Sequence, residues 1–336
     1  MDEDFIKGVN LGGWLLLERW MSPSLFAGTD AVDEYTLMQQ PGAARKIEKH
    51  RASFITEEDF TWLRDHGINA VRIPVGYWVL DGAGPYTKAQ SQLDWAMDMA
   101  ARYNIRVLID VHGLPGSQNG KDHSGRAGRA RWYSDAAYRM ESMQRVVAIG
   151  QRYGRHPSLW GIQVINEPRL GLLHLRLRRY YRQVYAALAQ VLDPQGAIII
   201  SDAFTPRLMS GALTASSNPV VLDVHLYHMS TPLARQRSVQ WFMERTKRRQ
   251  RLLARLSRTQ PVIVGEWSGV ISHETMRRVS REKRAELVAR YISLQQQVYS
   301  QTAGWFYWSY KTEGSDVWNY RSQVEAGSID TRMWGS

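Results

Sequence analysis

The chain has no cysteine among its 336 residues. That excludes disulfide staples, a thiol nucleophile and a thiolate metal site, and it leaves the compartment open. No run of about 18 apolar residues occurs, so no membrane-spanning helix is expected. The first seven residues are acidic and polar, without the apolar centre of a signal peptide. The expectation is a protein that stays inside the cell, or a mature secreted or periplasmic form that has lost a leader. No glycine-rich phosphate loop follows the first apolar run, which argues against an open, doubly wound dinucleotide-binding sheet. Neither a linker tract nor an internal repeat interrupts the sequence, so residues 1–336 read as a single domain.

Acidic side chains are in the minority. The 43 Lys and Arg against 32 Asp and Glu give a formal charge of +11 and a pI near 9.8. The excess concentrates at Arg176, Arg178, Arg179 and Arg182, and again from Arg245 to Arg255. In helix-like stretches this reads first as a solvated outer face, and second as attraction to an anionic polymer. No nucleic-acid recognition motif accompanies the charge, so nucleic acid is not expected as a partner. The 13 Trp and 16 Tyr supply rings that stack on sugar faces as well as fill a core.

Eight short apolar runs punctuate the chain, at 5–10, 69–75, 106–111, 159–165, 197–201, 220–227, 262–265 and 305–310. Helical signals lie between them. Thr56-Glu57-Glu58-Asp59 resembles a capping box, 90–103, 136–153 and 239–256 read as helices, and Leu177, Tyr181, Val184, Leu188 and Val191 make one helix face. The strands are continuously apolar rather than alternating, as in a parallel sheet covered on both sides. Eight such units predict a single (β/α)8 TIM barrel. The stretch 113–134 is long, glycine-rich and aperiodic, and is expected to be a lid or a sugar-binding wall.

Two of the apolar runs end in glutamate: Ile162-Gln163-Val164-Ile165-Asn166-Glu167-Pro168 and Val262-Ile263-Val264-Gly265-Glu266-Trp267. Proline cannot donate to a ladder, so the first strand must stop at Glu167. In a β/α barrel the working residues gather at the C-terminal strand ends. Those ends supply Arg72, His112, Asn166, Glu167, His225, Tyr227, Glu266 and Trp308. Two carboxyl groups about 5–5.5 Å apart suit retaining glycoside hydrolysis, one as acid and base and one as nucleophile. Arg72 near Glu266 would keep the nucleophile charged, and a less charged setting would raise the pKa of Glu167. Asn166 is expected to meet a sugar hydroxyl, Tyr227 to orient the nucleophile and Trp308 to floor the sugar ring.

The ordered set Arg72 in Val-Arg-Ile-Pro, His112, Asn166-Glu167-Pro168, His225-x-Tyr227, Glu266 and Trp308 resembles the signature of glycoside hydrolase family 5. The resemblance implies a retaining double displacement with Glu167 as acid/base and Glu266 as nucleophile. Three further stretches resemble the exo-β-1,3-glucanase branch known best from fungi: Gly8-Val9-Asn10-Leu11-Gly12-Gly13-Trp14, Met21-Ser22-Pro23-Ser24-Leu25-Phe26, and His112 to Gly120. By that resemblance Glu18 binds the terminal non-reducing sugar. Two departures stand out. Lys121 and Ser230 occupy positions where those enzymes carry the phenylalanines that clamp the leaving sugar, and Lys121 is expected to meet an acidic or substituted sugar there.

The expected activity is therefore cleavage of a β-glucan, β-1,3-linked and exo-acting, by a monomer that needs no cofactor and no metal. The alternatives are a transglycosylase or endo-hydrolase remodelling a bacterial-type, anionic exopolysaccharide, and a non-catalytic carbohydrate-binding barrel. A metal-dependent hydrolase would have to draw on Asp110, His112, His225 and His228.

Overall fold

The structure is a computed structural model that describes residues 5–169, 174–229, 231–314 and 316–331. Its centre is a closed parallel barrel of eight strands in chain order. They are β1 (Ile6–Asn10), β2 (Ala70–Gly76), β3 (Arg106–Gly113), β4 (Leu159–Gln163), β5 (Ala197–Ser201), β6 (Val220–His225), β7 (Val262–Trp267) and β8 (Gly304–Tyr307). All eight predicted runs form strands, and β8 closes on β1 with Ile6 opposite Gly304. The (β/α)8 barrel is thus as expected. Helices Glu57–Asp65, Gln90–Arg102, Ala136–Tyr153, His174–Leu188, Val239–Ser257 and Arg281–Tyr299 lie between strands. At the first of these Thr56 N donates to Asp59 Oδ2 at 2.8 Å, the capping interaction the sequence announced.

Alternate residues of each strand point inward, and the inner side chains form layers. Ile6, Ala70, Leu108, Ala197, Ile199, Val221, Ile263 and Phe306 pack as an apolar plug. The plug is tight: a Cβ on Gly8 would sit 2.2 Å from the Phe306 ring. Further along the strands the inner positions turn polar: Asn10, Arg72, Asp110, Gln163 and Asp223, all fully buried. The barrel is therefore a filled core whose upper layer is ionic, and the candidate site stands on that layer. The outward strand residues and the helices form the larger core, which includes Val71, Ile109, Ile162, Val264 and Trp305.

The arginines flagged for charge mostly occupy exposed positions on helices His174–Leu188 and Val239–Ser257, as a solvated outer face requires. Among the described residues no helix is long and apolar enough to cross a membrane. The 113–134 stretch is a fixed wall rather than a lid. Gln118 Nε2 donates to the carbonyls of His112 and Asn166, Arg131 N to that of Gly116, and Ala127 N to Asp33 Oδ2.

Candidate active site

Glu266 reaches the cavity because β7 carries an irregularity. Val264 pairs with Trp305 and Trp267 with Tyr307, so β7 uses three steps where β8 uses two. The extra residue lets Gly265 and Glu266 both face inward, while Trp267 returns to the outer core; bulges commonly re-aim side chains beside active sites in this way. Gly265 must be glycine here, since a Cβ would lie 2.1 Å from Asp223 Oδ1. Glu167 arrives by another device. The β4 ladder ends at Gln163, and Glu167 has φ +41°, a left-handed conformation uncommon for a side-chain-bearing residue. One carboxylate oxygen of Glu167 and one of Glu266 lie within 4.8 Å of each other.

Arg72 anchors the floor. Its Nε donates to Gln163 Oε1 at 3.0 Å, and its Nη1 donates to Asn10 Oδ1 at 2.7 Å and to Glu266 Oε1 at 3.1 Å. Nη2 faces Asn166 Oδ1 and Asp110 Oδ2, each at 2.9 Å. Four hydrogen bonds thus hold the guanidinium, and Asp110 adds an ion pair. Burial alone would lower the Arg72 pKa, but Asp110, Glu266 and Asp223 outweigh it and raise it. Tyr227 OH donates to the other oxygen of Glu266 at 3.0 Å. Asn166 lies between Arg72 and His112, with Nδ2 3.1 Å from His112 Nε2, while His112 Nδ1 lies 2.6 Å from Asp110 Oδ2. An amide nitrogen donates and a carboxylate accepts, so His112 carries its hydrogen on Nδ1.

His225 spans the two halves. Its Nδ1 is 2.8 Å from Glu167 Oε1 and 3.5 Å from Glu266 Oε2, and its Nε2 is 3.0 Å from Asp223 Oδ2. Both ring nitrogens face carboxylates, so both donate. Burial opposes the charge, yet Glu266 and Asp223 push the His225 pKa well above the ordinary imidazole value. For Glu167 the sequence expectation is reversed. Burial does push its pKa upward, but hydrogen bonds from His123 and His225 outweigh burial and hold it well below the usual carboxylate range. The setting carries more positive charge than expected because His123 Nε2 and Lys121 Nζ also lie 3.4 and 3.5 Å from Glu167 Oε2.

A cavity of about 480 Å³ opens above this floor, lined by Glu18, Trp20, His112, Lys121, His123, Glu167, Tyr227, Glu266, Trp308 and Trp318. Seven of these were singled out from sequence. Arg72, Asn166 and His225 lie outside the lining and serve its members through hydrogen bonds. Glu18 accepts from Trp20 Nε1 at 2.8 Å, and burial raises its pKa. Trp308 lies nearly parallel to His112 at 5.7 Å. Trp20, His123 and Trp318 were missed. Trp20 and Trp318 sit on loops and His123 in a three-residue 3-10 turn, none with a periodic signal, although His123 lies two residues after the Lys121 departure in the 113–134 wall. Position 230 lies outside the described residues. The residues of the metal-hydrolase alternative do not converge: His228 Nδ1 is engaged at 2.8 Å with Tyr291 OH. Among the described residues the acid and imidazole groups that do converge are Glu167, His225 and Glu266.

A parallel barrel whose rim presents two carboxylates within 4.8 Å of each other across one cavity defines the class of retaining glycoside hydrolases. The sequence model of the Cellulase (glycosyl hydrolase family 5) family matches residues 35–314, and the chain belongs to that family. Its relatives include the probable glucan 1,3-beta-glucosidase A of Aspergillus niger, 34% identical over 94% of this chain and 84% of that one. The probable glucan 1,3-beta-glucosidase of Arthroderma benhamiae is 33% identical over 99% of this chain and 92% of its own. Among solved structures, the rutinosidase from Aspergillus niger shares the fold with a TM-score of 0.83 at 24% identity, covering 97% of this chain and 98% of that one. The chain is accordingly a retaining O-glycosyl hydrolase.

Proposed function

We propose that the protein releases glucose from the non-reducing ends of a β-1,3-linked glucan by double displacement, with Glu266 as nucleophile and Glu167 as acid and base. The observation that carries this is the opposed pair, each member held by its own donors. Arg72 and Tyr227 fix the two oxygens of Glu266, one on each. Glu167 shares a proton with His225 at 2.8 Å. The trio Glu167, His225 and Glu266 holds that proton on His225 in the resting site. As a sugar fills the cavity and excludes water, the proton passes through Glu167 to the departing glycosidic oxygen while Glu266 bonds to the anomeric carbon. In the second step Glu167 takes a proton from water and returns it to His225, while the water oxygen displaces Glu266. The relatives named for glucan 1,3-beta-glucosidase activity favour the substrate, and Glu18 with Trp20 supplies an acceptor and a ring for the terminal sugar.

The test is hydrolysis of laminari-oligosaccharides followed by proton NMR. The first-formed product is expected to be glucose in the β configuration, with the oligomer shortening by one unit at a time. Early release of larger fragments rejects exo action, and α-glucose as first product rejects the double displacement and with it Glu266 as nucleophile.

The charge around Glu167 gives a pH prediction. His123 is half-buried beside Glu167; Glu18, His112, Asp122 and Lys121 are the other titratable groups around it. Burial opposes its charge, but Glu167 and Glu18 raise its pKa. His123→Asn removes a cationic donor that depresses the Glu167 pKa. Loss of that cation raises the pKa of Glu167 and of His225, which holds the shared proton in the resting site, so the proton persists to higher pH. The alkaline limb of kcat/KM against pH is expected to move upward. A limb that stays or moves downward shows that His123 does not set the acid.

A further inference from the structure

We infer that a second cavity, walled by the same 113–134 stretch, binds an oligosaccharide bearing carboxylate or similar anionic substituents; this rests on the glycosidase reading for the saccharide and on the cavity itself for the anion. The cavity has a volume of about 390 Å³ and shares no lining residue with the catalytic one. The two are adjacent along the chain: His123 lines the catalytic cavity and Ser124 the second. The second cavity is lined by Tyr35, Tyr77, Tyr138, Arg126, Arg129 and Arg131 among others.

Its chemistry is one-sided. Among the described residues the guanidiniums of Arg126, Arg129 and Arg131 have no carboxylate within ion-pair distance, in contrast to Arg51, Arg72, Arg145 and Arg152 elsewhere in the chain. Among the described residues the hydroxyls of Tyr35, Tyr77 and Tyr138 have no hydrogen-bond partner either, whereas Tyr86, deeper in the same cavity, donates to Gly125 O at 3.2 Å. The only carboxylate in the lining, Glu141, is already turned toward Arg145 at 3.6 Å. Three cations and three phenols with idle donors, facing one concave space, await a ligand rich in acceptors. Arg126 sits over the Tyr35 ring, with Cζ 3.9 Å from its centroid. A guanidinium held by a ring rather than by a carboxylate keeps N–H groups for the two-pronged grip on a carboxylate. The phenols suit sugar hydroxyls, and the volume lies within the range of saccharide-sized ligand pockets. The wall is already held in place. Tyr35 N donates to Gly125 O at 3.0 Å and Ala127 N to Asp33 Oδ2 at 2.6 Å, so binding need not order a loop. A flat anionic partner such as nucleic acid or a membrane surface would not use a recessed pocket of this size.

The experiment is calorimetric titration of the Glu266→Gln chain with carboxymethylated laminari-oligosaccharide and with its unsubstituted parent. The carboxymethylated oligomer is expected to show one site more than the parent. The combined change Arg126→Ser, Arg129→Ser and Arg131→Ser is expected to weaken that extra site by about tenfold or more. The same change in the otherwise native chain should leave hydrolysis of a neutral aryl β-glucoside unchanged. Tyr138→Phe, which keeps the ring and removes one hydroxyl, should weaken the extra site several-fold. Absence of an extra site, or an extra site indifferent to the arginines, overturns the inference. So does binding of inorganic tripolyphosphate as tight as that of the oligomer together with indifference to Tyr138→Phe, because charge alone is then at work. Residual turnover by Glu266→Gln near the native rate would instead overturn the catalytic reading and leave the second site to be judged on its own titration.

Discussion

Glu266→Ala is expected to lower turnover of a laminari-oligosaccharide by on the order of 10⁵ or more, as removal of a covalent nucleophile does elsewhere. Glu167→Ala should cost less, roughly 10²–10⁴, the usual share of a positioned acid and base. The two variants separate by leaving group. A dinitrophenyl glucoside departs without a proton, so Glu167→Ala should form the covalent intermediate at near-native rate and then stall for want of a base. Azide, which needs no base, should rescue it and yield a glucosyl azide of retained configuration. In Glu266→Ala the same anion attacks from the vacated side and should give the inverted azide. Both chains should fold. Asn10, Gln163, Asn166, Asp110 and Asp223 remain around Arg72 when Glu266 is gone, and Glu167 sits at a rim outside the apolar plug. Circular dichroism and native-like melting establish that first. The opposite azide configurations would exchange the two roles, and full activity in either variant would remove the pair from the chemistry.

The pair was legible because each glutamate ends an apolar run, and a barrel strand leads its last residue to the rim. The strand count, the order of the elements and the polar ends His112, His225 and Tyr227 followed from the same pattern, whereas Arg72, read as a strand end, lies inside β2 and reaches the site from the buried polar layer. What periodicity does not encode is which loop folds over the mouth. Trp20 and Trp318 lie far apart in sequence yet their rings meet at 5.4 Å across the cavity wall. The same gap explains the reversed expectation for Glu167: its neighbours His225 and His123 come from β6 and from the aperiodic wall, and their direction is a tertiary fact. The β7 irregularity was hidden too, because Gly265 read as a strand end when it is the space that Asp223 needs. The helix Ala43–Ser53 was not predicted; its buried face carries Arg51 inward to Glu34 at 2.8 Å and to the Leu15 carbonyl.

Arg72→Met should be the costliest single change to the fold. Methionine approximates the length of the arginine stem and leaves no large void, so the loss measures the ionic layer rather than a cavity. Without the guanidinium, Asp110 and Glu266 lose their paired cation at 2.9 and 3.1 Å, and Asn10, Gln163 and Asn166 each lose a donor. Breaking one side of a buried ionic group costs about 3–5 kcal/mol, which for a chain of this size lowers Tm by roughly 5–10 °C. Arg72→Lys keeps the charge but offers three donors in place of five, so it should recover part of the stability while Glu266 loses its alignment and kcat falls with it. The deficit of Arg72→Met should depend on pH. Burial raises the Asp223 pKa, but His225 and Arg72 outweigh it and depress it. A depressed carboxylate contributes stability above its unfolded pKa and loses it as pH falls through the folded value. Removing Arg72 takes away part of that contribution. The gap between native and variant is therefore widest at neutral pH and narrows on acidification into and below the carboxylate range. Urea unfolding at neutral and at acid pH checks this. A variant within 1 kcal/mol of the native chain at neutral pH, or a gap that widens in acid, would show that the barrel does not rest on Arg72.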